Sequence, residues 1–172
     1  PDLVFQQGAL AFLKKDYSLA QKLFREAARR ASETTAENAL FNENLAALNA
    51  NDASGAAALI KEAADSSRLR ESILFEQAHY AAKRMAPQAA ELLANFITLA
   101  ETPALKTQAR LDQAEVALNL NPPDLETVQA ILPLLEKEQL SPEQTMQLAR
   151  LNILEEESRQ EWPSAIQSCR RA

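Results

Sequence analysis

The chain predicts an all-α fold, a solenoid of antiparallel helix pairs with about four and a half repeats, and three observations carry that reading. Its 172 residues include only two glycines and eight prolines, and the 47% that are hydrophobic are dominated by alanine and leucine. This composition favours helices with short connections over sheets. Apolar residues recur at three- and four-residue steps, with alanines where two helices would approach, which specifies helices packed side by side. Seven landmarks, Val4, Gly8, Ala11, Asp16, Ala20, Phe24 and Ala27, return 36 residues later as Leu40, Asn44, Ala47, Asp52, Ala56, Ile60 and Ala63. A lone helix pair cannot cover its own apolar faces, so a chain written this way stacks neighbours on it.

The elements follow in order. The first helix is expected over about Leu3 to Lys14 and the second over about Tyr17 to Ala31, with Asp16 as its cap. Ser32 to Thr35 makes the next turn, and the second unit starts near Glu37 with Asn51-Asp52 as its inner turn. A third unit opens near Arg70, where Leu74, Ala78 and Ala81 take the first-helix places. Its turn, Met85-Ala86-Pro87, leads into Ala89, Leu93 and Phe96. Thr102-Pro103 restarts the chain as a cap followed by proline at the first helical position.

The fourth first helix is expected to reach Leu120 and stop at Asn121-Pro122-Pro123. Asp124 then caps a helix carrying Val128, Leu132 and Leu135. Pro133 inside it removes one backbone donor and predicts a kink, at a cost of ~3 kcal/mol. Ser141-Pro142-Glu143-Gln144 reads as a capping box opening a fifth first helix to about Glu157, whose partner would begin near Trp162-Pro163, with Trp162 packed at the turn as Tyr17 is after Asp16. All of this fits one continuous domain, residues 1–172, with units near 1–35, 36–68, 69–101, 102–139 and 140–172. The opening Pro1 and a helical-looking end at Cys169-Arg170-Arg171-Ala172 suggest a piece of a longer protein.

Gly8, Asp16, Tyr17, Ala20, Phe24 and Ala27, in that order and at those separations, resemble the landmarks of the tetratricopeptide repeat, whose period is about 34 residues. The sequence departs from that pattern at Val4, Gln7, Ala11 and Lys15, the last standing where a turn glycine is usual. The resemblance implies a right-handed superhelix whose first helices line a concave groove.

Composition also narrows function. A net charge of −6, with eighteen Lys and Arg scattered along the chain, leaves no basic stripe for phosphates and argues against nucleic acid. The pairs Arg29-Arg30, Lys83-Arg84 and Arg170-Arg171 read as solvated helix faces, as do Glu155-Glu156-Glu157. His79 and Cys169 are the sole residues of their kinds, and neither His-x3-His, Cys-x2-Cys nor a glycine-rich phosphate loop occurs. No enzyme activity, metal or cofactor is therefore expected, and a single cysteine forms no internal disulfide. These residues contain no 18-residue apolar run and no leader pattern. The compartment stays open between bacterial cytoplasm and periplasm, and the oligomeric state is not encoded.

A binding surface is easier to propose. Phe5, Phe41, Phe75 and Leu111 are spaced by 36, 34 and 36 residues and should stack in a column, flanked by Ala9, Leu45, His79 and Glu115. With Phe12 and Asn49, and on the tetratricopeptide resemblance, this column would face the groove and anchor a peptide, helix or partner domain, since rings bury large areas at low entropic cost. Phenylalanines at repeat spacing equally suit a core between repeats. Arrays that clamp acidic chain ends carry Lys and Asn where this sequence has Phe5, Ala9, Phe41 and Leu45, so the resemblance implies an apolar or amphipathic guest. The expected role is a non-catalytic protein-interaction module or scaffold in complex assembly. The alternatives are a spacer or oligomerisation segment of a larger envelope or export protein, and the regulatory domain of an enzyme.

Overall fold

The computed structural model describes residues 2–63 and 66–159, and among them every regular element is a helix. These are α1 (Asp2–Leu13), α2 (Tyr17–Arg30), α3 (Glu33–Asn49), α4 (Ala53–Glu62), α5 (Ser67–Lys83), α6 (Ala89–Leu99), α7 (Pro103–Leu118), α8 (Leu125–Leu135) and α9 (Pro142–Ser158). Trp162, Cys169 and the expected second helix of the fifth unit lie outside the described residues. The chain divides into two compact units, residues 1–77 and 78–172, with the boundary inside α5. No described helix is long and apolar enough to cross a membrane.

The helix ends show how local rules set the elements. Lys15, Asn51 and Met85 all adopt left-handed backbone, with φ of 63°, 58° and 50°. In each case the next residue's amide reaches back five positions, Asp16 to the Ala11 carbonyl, Asp52 to Ala47 and Ala86 to Ala81, at 2.9 Å. The left-handed residue itself donates three positions back, to Phe12, Leu48 and Ala82. This pair of hydrogen bonds closes the helix C-terminus in a Schellman turn, a place where glycine costs least and where Lys15 and Met85 carry a penalty of about 1–2 kcal/mol. After α7 the chain turns instead through Asn121-Pro122-Pro123 with a cis Asn121–Pro122 bond.

Acidic caps open the following helices. Asp16 accepts the Leu19 amide at 3.1 Å, Asp52 the Gly55 amide at 2.9 Å, and Asp124 the Thr127 amide at 3.1 Å. Ser141 and Gln144 exchange both bonds of the capping box, at 3.2 and 3.1 Å. Asp52 also receives the Gln21 side chain from α2 and the Ser54 hydroxyl, each at 2.9 Å. These donors, Gln21 first, hold its carboxyl below the usual range. Asp52→Ala is expected to cost about 1 kcal/mol in urea unfolding, with Asp52→Asn recovering most of it.

Three boundaries differ from expectation, one being α5, which starts at Ser67 rather than near Arg70. α3 starts at Glu33, four residues before Glu37, because Ser32 rather than Thr35 stands at the N-cap. α7 ends at Leu118 rather than Leu120, with the Asn119 backbone amide donating to the carbonyls of Glu115 and Val116 in its last turn. Pro133 sits in the last turn of α8, exposed, and the helix continues to Leu135.

In the first unit α2 packs between α1 and α3, and α4 lies on α3. Phe24 fills the α1/α2 seam with Ala11, Ala20 and Ala46, and Phe5 meets it edge-on at 5.3 Å between centroids. Gly8 lies directly under that ring, where a Cβ would stand 2.9 Å from Phe24 Cδ1. A second cluster joins Leu59 of α4 and Ala63 at its C-cap to Leu69 and Ile73 of α5, with Leu40, Phe41 and Ile60 against it. Leu59 is fully buried and Ile60, the counterpart of Phe24, only half-buried. In the second unit α7 is central, packed on α6, α8 and α9. Its Leu111, Ala114, Ala117 and Leu118 close against Val128, Ile131, Leu132, Leu135, Leu148 and Leu151.

Candidate partner-binding surface

The residues expected on a binding face separate by burial. On α1, Phe5, Ala9 and Phe12 lie one and two turns apart and are each half-buried. Phe12 rests edge-on against Tyr17 at 5.2 Å. On α3, Phe41 and Leu45 are half-buried, and the Asn49 amide donates to the Leu45 carbonyl at 2.8 Å, spending its polarity on its own helix. Phe75 and Leu111 are core residues, 8% and 0% exposed. The column is therefore not an open ladder along its length. Leu111 sits where α7, α8 and α9 converge, and its whole side chain is used in closing that cluster.

His79 has a different setting. Its Nδ1 is hydrogen-bonded to Asp112 Oδ2 at 2.5 Å, and Asp112 is buried. The Gln108 amide donates to the other Asp112 oxygen at 3.2 Å, and Lys83 lies 3.9 Å from it. Glu115 stands 3.6 Å from Lys83 and 3.5 Å from Arg150, and receives the Gln147 amide at 3.3 Å. Gln108 in turn donates to Gln147 at 3.1 Å and accepts from Gln144 at 3.2 Å. A recess of about 200 Å³ is lined by Lys83, Met85, Asp112, Glu115, Asn119 and Arg150. In the second unit the ring positions are taken by the buried Leu111 and Leu118, and Glu115, in the place of Ala9 and Leu45, is an acid already engaged by cations and an amide.

Two polar features of the first unit had no signal in sequence spacing. Arg25 of α2 bonds Glu43 of α3 at 2.8 Å and also pairs with Glu62 of α4. Burial of Glu43, only partly offset by Arg25, pushes its carboxyl up to about 7. Asn44, which takes the place of Gly8, is buried, and its Oδ1 accepts the Gln77 amide at 2.9 Å while the same amide reaches the Ala56 carbonyl at 2.9 Å. These partners sit 18 and 33 positions apart in the chain, and only helix packing brings them together.

Comparisons with protein-family models, with curated proteins and with solved structures return no match, so the reading rests on the chain's own residues.

Proposed function

We propose that the chain is a non-catalytic protein-interaction module of tetratricopeptide-like helix pairs, holding an apolar segment or helix of a partner against α1 and α3 during assembly of a larger complex. One observation carries this reading. Phe5, Ala9 and Phe12 of α1 and their counterparts 36 residues on, Phe41, Leu45 and Leu48 of α3, all keep exposed surface beside closed cores. Aromatic and aliphatic side chains held in place from below, with area left to bury, are what anchors a partner at low entropic cost. The recurring left-handed turns at Lys15, Asn51 and Met85 support the repeat reading.

The test begins with capture from the source cell, after which each candidate is purified and titrated against wild type and against Phe12→Ala plus Leu45→Gln. The expected result is a partner whose Kd rises at least about tenfold with the double variant, at unchanged helicity. If every purified candidate binds both proteins alike, the α1/α3 face is not the site.

The spacer reading draws on the second unit, where Leu111 is enclosed and Asp112 and Glu115 are engaged within the chain. Under it, no purified candidate binds tightly to either protein.

A further inference from the structure

Four side chains of α2, Ser18, Gln21, Lys22 and Arg25, fall at steps of three and four residues and share one stripe of the helix. With Glu43 of α3 they line an open groove of about 460 Å³, all of it within the first unit. Two of the five are spent inside the protein: Gln21 gives its amide to Asp52, and Arg25 is shared between Glu43 and Glu62. Ser18 and Lys22 are exposed, and neither the hydroxyl nor the ammonium pairs with another described residue.

Glu43 supplies an independent observation. It is 3% exposed, and the Nε and one Nη of Arg25, each at 2.8 Å, both go to the same oxygen, Oε1. The other oxygen, Oε2, is enclosed and has no hydrogen-bond partner. With a carboxyl raised to about 7, half of the molecules carry a proton there at neutral pH. That proton belongs on Oε2, since on Oε1 it would face the guanidinium. A buried O–H without an acceptor is costly to leave unmet.

We propose that this groove on α2 and α3 binds a carboxylate from an acidic segment of a partner protein, held by the Lys22 ammonium and the Ser18 hydroxyl and accepting from Glu43 Oε2. Every group left unspent in the groove is then a donor meeting an acceptor. A cationic ligand fits poorly, because Lys22, Arg25 and Arg29 of α2 would oppose it, while Glu62 of α4 is already paired with Arg25 and Asp52 is already satisfied by its donors. The net charge of −6 disfavours acidic ligands at long range, but at 0.15 M salt screening over about 8 Å leaves the local match to decide. The charged groups that act on Glu43 are Arg25 and Arg29 from α2 and Glu62 from α4. As pH rises through 7, Glu43 gives up its proton, a donor becomes a negative acceptor, and the carboxylate is released. The groove shares no residue with Phe12 and Leu45, so the two proposals fail separately.

The probe is a fluorescent, N-acetylated hexaglutamate amide, with hexaglutamine as control, titrated against the full chain in 0.15 M salt. Saturable binding of hexaglutamate is expected at pH 6, about tenfold weaker at pH 8, with the peptide itself ionised at both. Lys22→Gln, at an exposed position, should weaken binding at pH 6 by about fivefold or more at unchanged helicity. Glu43→Gln, whose amide keeps a donor at every pH, should bind equally at the two pH values. The inference is overturned by no saturable hexaglutamate binding at pH 6, by equal binding of hexaglutamine, or by Lys22→Gln binding as wild type does. It is also overturned if the pH dependence survives in Glu43→Gln, which would place the titrating group elsewhere, His79 being the sole histidine. A phosphoserine peptide that binds more tightly than hexaglutamate and depends on Lys22 would put a phosphate in the groove instead.

Discussion

Phe24→Ala is expected to remove about 3–5 kcal/mol of unfolding free energy, the range for emptying a buried phenylalanine site that its neighbours cannot refill. The ring is 1% exposed, touches Gly8 on one side and meets Phe5 edge-on on another. Collapse into the void is limited because the wall at Gly8 is helix backbone, with no side chain to swing inward. The same contact makes a reciprocal prediction. A glycine in mid-helix is usually improved by alanine, by about 1 kcal/mol. Here the new methyl would stand 2.9 Å from Phe24 Cδ1 and 3.0 Å from Cε1, and the ring is enclosed, so Gly8→Ala should lower stability and Gly8→Leu should lower it by several kcal/mol. Combining Gly8→Ala with Phe24→Leu relieves the clash, so the pair should cost less than the sum of its singles in urea unfolding. A stabilising Gly8→Ala on its own would show that the ring has room to move and that close approach is not what keeps glycine there.

That pair is visible in the sequence because the small residue and the aromatic belong to one short hairpin. The same holds for the caps at Asp16, Asp52, Asp124 and Ser141, where the bond spans three residues and the side chain is sufficient to set it. Which members of a regular column are covered is not legible in the same way. Phe5 and Leu111 hold equivalent places, yet one is half-buried and the other has no exposed surface, because burial depends on the helices stacked around each pair. Contacts such as His79 with Asp112 and Arg25 with Glu43 are equally hidden, since they depend on how one helix is rotated against another, and apolar spacing fixes that only to within a turn. At the start of α3, Thr34 and Thr35 read as turn residues in the sequence, while the bond from the Ala36 amide to the Ser32 carbonyl already makes them helical.

Arg25→Ala is expected to destabilise the protein by an amount that depends on pH, larger at pH 8 than at pH 5. The reason lies in Glu43, whose carboxyl burial raises from 4.5 to about 7, with Arg25 and Arg29 acting against the rise and Glu62 adding to it. Raised folded-state affinity for a proton means that between about 4.5 and 7 the folded chain keeps a proton that the unfolded chain gives up. Stability from this group is therefore fully present at the acid end and is lost as pH rises, the change being complete above about 7. Each tenfold gain in proton affinity corresponds to about 1.4 kcal/mol, so wild type should lose on the order of 1–3 kcal/mol between pH 5 and pH 8 from Glu43. Glu43→Gln should flatten that slope. Removing Arg25 at pH 5 leaves a neutral acid and forfeits roughly 1 kcal/mol of hydrogen bonding, whereas at pH 8 it strands a buried carboxylate, a loss of about 3–5 kcal/mol when one partner of such a pair is deleted. Asp52, held low by its donors, loses its contribution only as pH falls through the acid range, so the two effects occupy separate windows. Urea unfolding of wild type, Arg25→Ala and Glu43→Gln at both pH values decides the matter: an equal cost for Arg25→Ala at pH 5 and pH 8 would mean that the guanidinium packs against α3 without governing the charge of Glu43.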